Sequence, residues 1–74
     1  MQHLDIRVSG IVQGVFFRTS TKEIADHLDI NGWVMNHNDG SVRIEAEGDA
    51  TAMQQFCEWL QQGPEGAVVE NVEA

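Results

Sequence analysis

The sequence predicts an α+β domain over residues 1–74, with element order β-α-β-β-α-β. Three observations carry that expectation. Apolar and polar residues alternate with period 2 near residues 4–8 and 42–46, and apolar residues recur at helical spacing after residues 17 and 50. Between two strand-like runs stands Asp39-Gly40, a hairpin signal because glycine accepts the positive φ that tight turns require. At 74 residues there is room for one domain.

The first strand is read from Leu4, Ile6 and Val8, which alternate with Asp5 and Arg7. Gly10 and Gly14 follow, and two glycines four residues apart argue for a tight, curved loop from Ser9 to Arg18 rather than regular structure. A helix is expected from Thr19 or Ser20, with Ser20 and Glu23 spaced as a capping box. Phe17, Thr21, Ile24, Ala25 and Leu28 form its apolar stripe, and Asn31-Gly32 supplies the stop. Trp33 to Asn36 reads as the second strand. The third is the clearest, with Val42, Ile44 and Ala46 set against Arg43, Glu45 and Glu47, and Gly48-Asp49 ending it.

A second helix is expected from Ala50 to Gln62, with Ala52, Met53, Phe56, Cys57 and Leu60 on one face and Gly63-Pro64 terminating it. Val68 to Glu73 reads as the last strand, and the three-residue spacing of Val69 and Val72 suggests a bulge. One apolar stripe per helix and one apolar face per strand pack naturally as a four-stranded antiparallel sheet with both helices on one face. This is the ferredoxin-like α/β sandwich. Right-handed crossovers would place the two helix-linked strand pairs side by side.

Charge and length restrict function. Twelve Asp and Glu against four Lys and Arg give a formal net charge of −8, and the only strong cations are Arg7, Arg18, Lys22 and Arg43. Nucleic-acid binding, which needs several cations to displace counterions, and adhesion to anionic membranes are therefore not expected. A small anion remains admissible where one local site outweighs the general repulsion. The lone Cys57 can form no internal disulfide, and no apolar run marks a signal peptide or a membrane helix. The simplest expectation is a soluble cytoplasmic monomer. A domain this small buries only about 60% of its unfolded surface, so any site should be shallow and built largely from backbone.

The one segment with chemical promise is Gly10-Ile11-Val12-Gln13-Gly14-Val15-Phe16-Phe17-Arg18. A glycine-containing loop entering a helix can turn successive N–H groups inward as an anion site, and the guanidinium of Arg18 suits bidentate contact with a phosphate. Spacing alone equally admits a plain turn with Arg18 in solvent. His3, His27 and His37 share no metal-ligand spacing, and His37 reads as a turn residue beside Asn36. Cys57 reads as a core thiol, Trp33 and Trp59 as packing residues, and Glu45 and Glu47 as a solvated face that Arg43 can pair with across the strand.

The run from Gly10 to Arg18 resembles the acylphosphatase signature G-x-V-Q-G-V-x-F-R. A second run, Gly32-Trp33-Val34-Met35-Asn36-His37-Asn38-Asp39-Gly40-Ser41-Val42, resembles that family's G-W-V-x-N-x-x-D-G-x-V, and Phe56 to Leu60 with Gly63-Pro64 is also similar to it. The resemblance implies hydrolysis of the carboxyl–phosphate anhydride of small acyl phosphates to a carboxylate and inorganic phosphate, without cofactor or metal. It implies that Arg18 binds the phosphate together with the loop amides of Gln13, Gly14, Val15, Phe16 and Phe17, and that Asn36 holds the attacking water.

Members of that family usually continue past the equivalent of Val72 to add a fifth, edge strand, whereas this sequence ends at Ala74. The resemblance therefore implies lower stability than a five-stranded relative, and an unpaired edge at the Trp33 strand open to association between chains. It also leaves an alternative, a non-catalytic phosphate-binding or interaction module of the same fold.

Overall fold

The computed structural model describes the whole chain, Met1–Ala74. Its elements are β1 (Gln2–Ile11), α1 (Phe17–His27), β2 (Asn31–Asn36), β3 (Val42–Gly48), α2 (Ala50–Gln62) and β4 (Val68–Glu73). The four strands form one antiparallel sheet in the order β2-β3-β1-β4. Ile6, Val8, Val42, Ile44 and Ala46 turn their side chains to one face, where Met53, Phe56 and Leu60 of α2 and Phe17 of α1 close the core. This is the ferredoxin-like sandwich.

The helix-linked strand pairs are interleaved rather than side by side. β3 lies between β1 and β2, and β1 lies between β3 and β4. Dimensions explain the arrangement. A helix about 10 Å across covers two strand spacings of about 4.8 Å, so each crossover spans one intervening strand and two helices cover four. The Phe17 and Trp59 rings meet at the seam between the helices, with centroids 5.9 Å apart and planes tilted by 44°.

Three boundaries differ from the sequence reading. β1 runs through Gly10 to Ile11, because pairing with β4 continues past a bulge: Ser9 faces Asn71 but Gly10 faces Val69, leaving Glu70 as the extra residue. Gly10 makes this possible. Its φ is +128°, and a Cβ there would lie 2.1 Å from the Val68 carbonyl oxygen. The bulge expected from Val69 and Val72 is thus present.

α1 begins at Phe17, and Ser20 is not its cap. The backbone at Phe16 turns left-handed instead, and Ser20 N–H makes the first helical bond back to the Phe16 carbonyl at 3.0 Å. The helix stops before Asn31-Gly32. Asp29, with φ +57°, closes it as glycine commonly does: Ile30 N–H donates to Ala25 O at 2.8 Å and Asp29 N–H to Asp26 O at 3.3 Å. Asn31 and Gly32 are then released into β2. α2 matches its expected limits, with the Asp49 carboxylate accepting from Ala52 N–H at 2.8 Å.

Candidate active site

The segment between β1 and α1 changes direction through two left-handed residues. Gly14 has φ +74° and Phe16 has φ 60°, ψ 22°, while Val15 between them keeps a negative φ. Alternation of this kind turns successive N–H groups toward a common concavity. The amides of residues 13–16 donate to no protein acceptor, and those of the first helical turn have none within the helix. Buried Val12 and Phe17 anchor the two ends of the loop, whereas the Phe16 ring is 81% exposed. A bulky residue held left-handed with its side chain in solvent is strained backbone that packing of that ring does not account for.

The loop forms one wall of a shallow cleft of about 320 Å³ lined by Val12, Gly14, Phe16, Phe17, Arg18, Thr19 and Asn36. Asn36 is the last residue of β2, paired with Val42 of β3. The cleft thus unites two segments joined in sequence by α1 and β2. Its polar groups are uncommitted. Arg7 pairs with Asp39 at 2.6 Å, Lys22 with Asp26 at 2.9 Å and Arg43 with Asp5 at 3.5 Å, so Arg18 is the one strong cation with no carboxylate partner. The Asn36 Oδ1 atom is buried and accepts no hydrogen bond from the protein.

Other grooves on the surface lack this combination. The one between α1 and the β2 edge contains Lys22, already paired with Asp26, and the one on the open sheet face contains Arg7 and Arg43, both paired. Arg43 takes Asp5 on β1 rather than its neighbours on β3, and Glu45 takes His3 at 2.9 Å. Only the loop cleft offers unspent positive potential.

Among the residues named from sequence, the structure gathers Gly14, Phe16, Phe17, Arg18 and Asn36 around the cleft. The side chains of Gln13 and Val15 do not line it. The Gln13 side chain turns away and donates from Nε2 to His37 O at 2.8 Å and Ser41 O at 2.9 Å, while Val15 packs against the core. Thr19 lines the cleft and was missed. Its position in the first turn after Arg18 was the available signal, obscured by placing the helix start two or three residues too late.

The turn after Asn36 is organised by Asp39. Its carboxylate accepts from Ser41 Oγ at 2.5 Å, Ser41 N–H at 2.9 Å and Arg7 at 2.6 Å, and His37 Nδ1 lies 3.2 Å away. The two Ser41 hydrogen bonds chiefly, with the Arg7 charge adding to them, hold the Asp39 carboxyl well below the usual carboxylate range. His37 serves the turn and does not reach the cleft lining.

These features coincide with what comparison finds. The family model described as acylphosphatase matches residues 4–74. An acylphosphatase of Thermotoga maritima is 53% identical over 72 residues, covering 97% of this chain and 80% of that protein. The crystal structure of acylphosphatase from Bacillus subtilis superposes with a TM-score of 0.96 at 40% identity, over 99% of this chain and 81% of that one. Full-length HypF, solved in a phosphate- and nucleotide-bound form, superposes with a TM-score of 0.84 at 28% identity over 97% of this chain, but this is only 10% of HypF. A loop of unpaired backbone amides, an unpaired arginine and an orphaned asparagine oxygen are therefore found on a chain that belongs to the acylphosphatase family, whose members hydrolyse acyl phosphates.

Proposed function

We propose that residues 1–74 act as one domain in which the amides of Gln13 to Phe17 and the Arg18 guanidinium hold the phosphoryl group of a small acyl phosphate, while Asn36 Oδ1 holds the attacking water. One observation carries this reading: the only unpaired strong cation and Asn36, whose carboxamide oxygen is buried without a partner, line the same cleft. A buried acceptor left unpaired costs about 1–3 kcal/mol, a cost that a donating water removes.

The chemistry follows from the positions. The water donates one hydrogen bond to Asn36 Oδ1, which leaves its lone pair directed at phosphorus. A bond forms from the water oxygen to phosphorus as the bond from phosphorus to the acyl oxygen breaks. The electron pair leaves with the carboxylate, a group stable enough to depart without a proton, and the water proton passes to the phosphate or to solvent. Phosphoryl transfer spreads charge over the equatorial oxygens, so positioning and preorganised donors supply most of the catalysis. Each well-aimed donor contributes about 3–4 kcal/mol in such sites. Arg18 adds the cationic fork.

The reading extends to a monomeric cytoplasmic enzyme; that it takes no nucleic-acid partner is supported by the −8 charge and by three of the four Lys and Arg side chains being committed to carboxylates. No helix is long and apolar enough to cross a membrane. The test is hydrolysis of benzoyl phosphate by the parent, Arg18→Ala and Asn36→Ala, with circular dichroism verifying that all three are folded. Turnover should fall at least a hundredfold in each variant, and inorganic phosphate should inhibit through Arg18 but not through Asn36. A folded Arg18→Ala protein with parental turnover and parental phosphate inhibition would refute the assignment.

A further inference from the structure

We infer that Gln13 is a positioning residue whose side chain fixes the phosphate loop relative to the water held at Asn36. The inference rests on the reading of Arg18 and Asn36 just given. The sheet does not hold these two segments directly against each other: the loop follows β1, Asn36 ends β2, and β3 lies between those strands. Both N–H bonds of the Gln13 carboxamide are used across that gap, one to His37 O at 2.8 Å and one to Ser41 O at 2.9 Å. His37 directly follows Asn36, and Ser41 O also accepts His37 N–H at 2.8 Å, so the pin engages the turn where it closes on itself. These are the side-chain hydrogen bonds that join residues 12–16 to residues 36–41.

The division of labour sets the expected kinetics. Phosphate is gripped by one continuous segment, residues 13–18, anchored at its far end by the buried Phe17. Loss of the pin leaves that grip whole. What it changes is the distance and angle between the gripped phosphorus and the water, to which an in-line displacement is acutely sensitive. Binding of phosphate should therefore survive a change that lowers turnover.

The experiment compares the parent, Gln13→Leu, Gln13→Glu and Asn36→Ala for kcat on benzoyl phosphate and for competitive inhibition by inorganic phosphate. Leu fills the space without donors, and Glu keeps the length but faces two carbonyl oxygens with acceptors. Both should lower kcat by about tenfold to a hundredfold, as expected for a misplacement near 1 Å. The phosphate inhibition constant should stay within about threefold for Leu, because a positioning role acts on alignment rather than on binding. If Gln13→Leu fails to fold, Gln13→Asn, which keeps the amide on a shorter arm, is read by the same two numbers. A kcat within threefold of the parent while Asn36→Ala is inactive would overturn the pin and leave the catalytic reading intact. Loss of phosphate inhibition in step with kcat would overturn it too, by assigning the Gln13 side chain, and not only its amide, to the grip. An active Asn36→Ala variant would instead remove the reading on which the pin depends.

Discussion

Phe16 offers a direct measure of how firmly the phosphate loop is preset. Its φ of 60° and ψ of 22° lie in the left-handed region, and its ring is 81% exposed, so little burial offsets the backbone cost. That cost is roughly 1–2 kcal/mol for an L-residue. Phe16→Ala keeps it and Phe16→Gly removes it, while both lose the same ring, so the difference between the two variants isolates the backbone. Glycine's greater freedom in the unfolded chain returns about 0.5–1 kcal/mol. The net expectation is about 1 kcal/mol in favour of Gly. With an unfolding entropy near 2.1 cal/mol/K per residue, the chain has ~155 cal/mol/K, which makes the difference about 6 °C in Tm. Thermal melts without phosphate read this directly. The Gly variant, though more stable, should need about three- to tenfold more phosphate for equal inhibition, because its amides are no longer fixed beforehand. Two variants that melt within about 1 °C of each other, or a Gly variant that binds phosphate as tightly as the Ala variant, would refute strain as the source of presetting.

Two further outcomes follow from the backbone and the Asp39 turn. Gly10→Ala, with a Cβ 2.1 Å from the Val68 carbonyl oxygen and φ +128°, should destabilise by about 3 kcal/mol or more, whereas Gly40→Ala, at φ +92° with open space around it, should cost about 1 kcal/mol; chemical denaturation of both variants checks the difference. For Asp39, a carboxyl depressed in the folded state contributes stability above its unfolded value of 3.8 and loses it as pH falls through the lower folded value. The Tm advantage of the parent over Asp39→Asn should therefore be level from about pH 5 to 8 and shrink progressively below about pH 4. An advantage that disappears near neutrality would assign it to another group.

Local signals explain which parts of this architecture can be read in the sequence. β3 is legible because buried Val42, Ile44 and Ala46 alternate with Arg43, Glu45 and Glu47, and α2 because Ala52, Met53, Phe56 and Leu60 share one face and Gly63 ends it with a positive φ. The ends of α1 are not, since both are made by non-glycine residues, Phe16 and Asp29, in a backbone region their side chains do not advertise. At the N-terminal end tertiary packing overrides the local signal: Phe17 reaches Trp59 and the core, which sets the first turn earlier than any capping pattern suggests. At the site, the glycine-bearing loop and Arg18 have a physical rationale in sequence, whereas Asn36 enters only through family resemblance. The Gln13 bridge spans 24 and 28 residues and has no periodic or compositional trace. Thr19 was hidden by the misplaced helix start.

The interleaved sheet also governs when the site can come into existence. Ile6 pairs with Ile44, far along the chain, whereas Asn36 pairs with Val42 across a local hairpin, so the β1–β3 ladder is the one that waits for distant residues. Neither β-α-β half contains two adjacent strands, so neither has a hydrogen-bonded ladder of its own on which to nucleate. Contacts of such long sequence separation slow folding, because loop-closure entropy is spent before pairing rewards it. Arg18 rides on α1, which packs on β2, but the loop that follows β1 is set beside Asn36 only when β3 joins β1 to β2. Regain of catalysis during refolding is thus a clock for assembly of the central strands, and it should trail the return of helical circular dichroism.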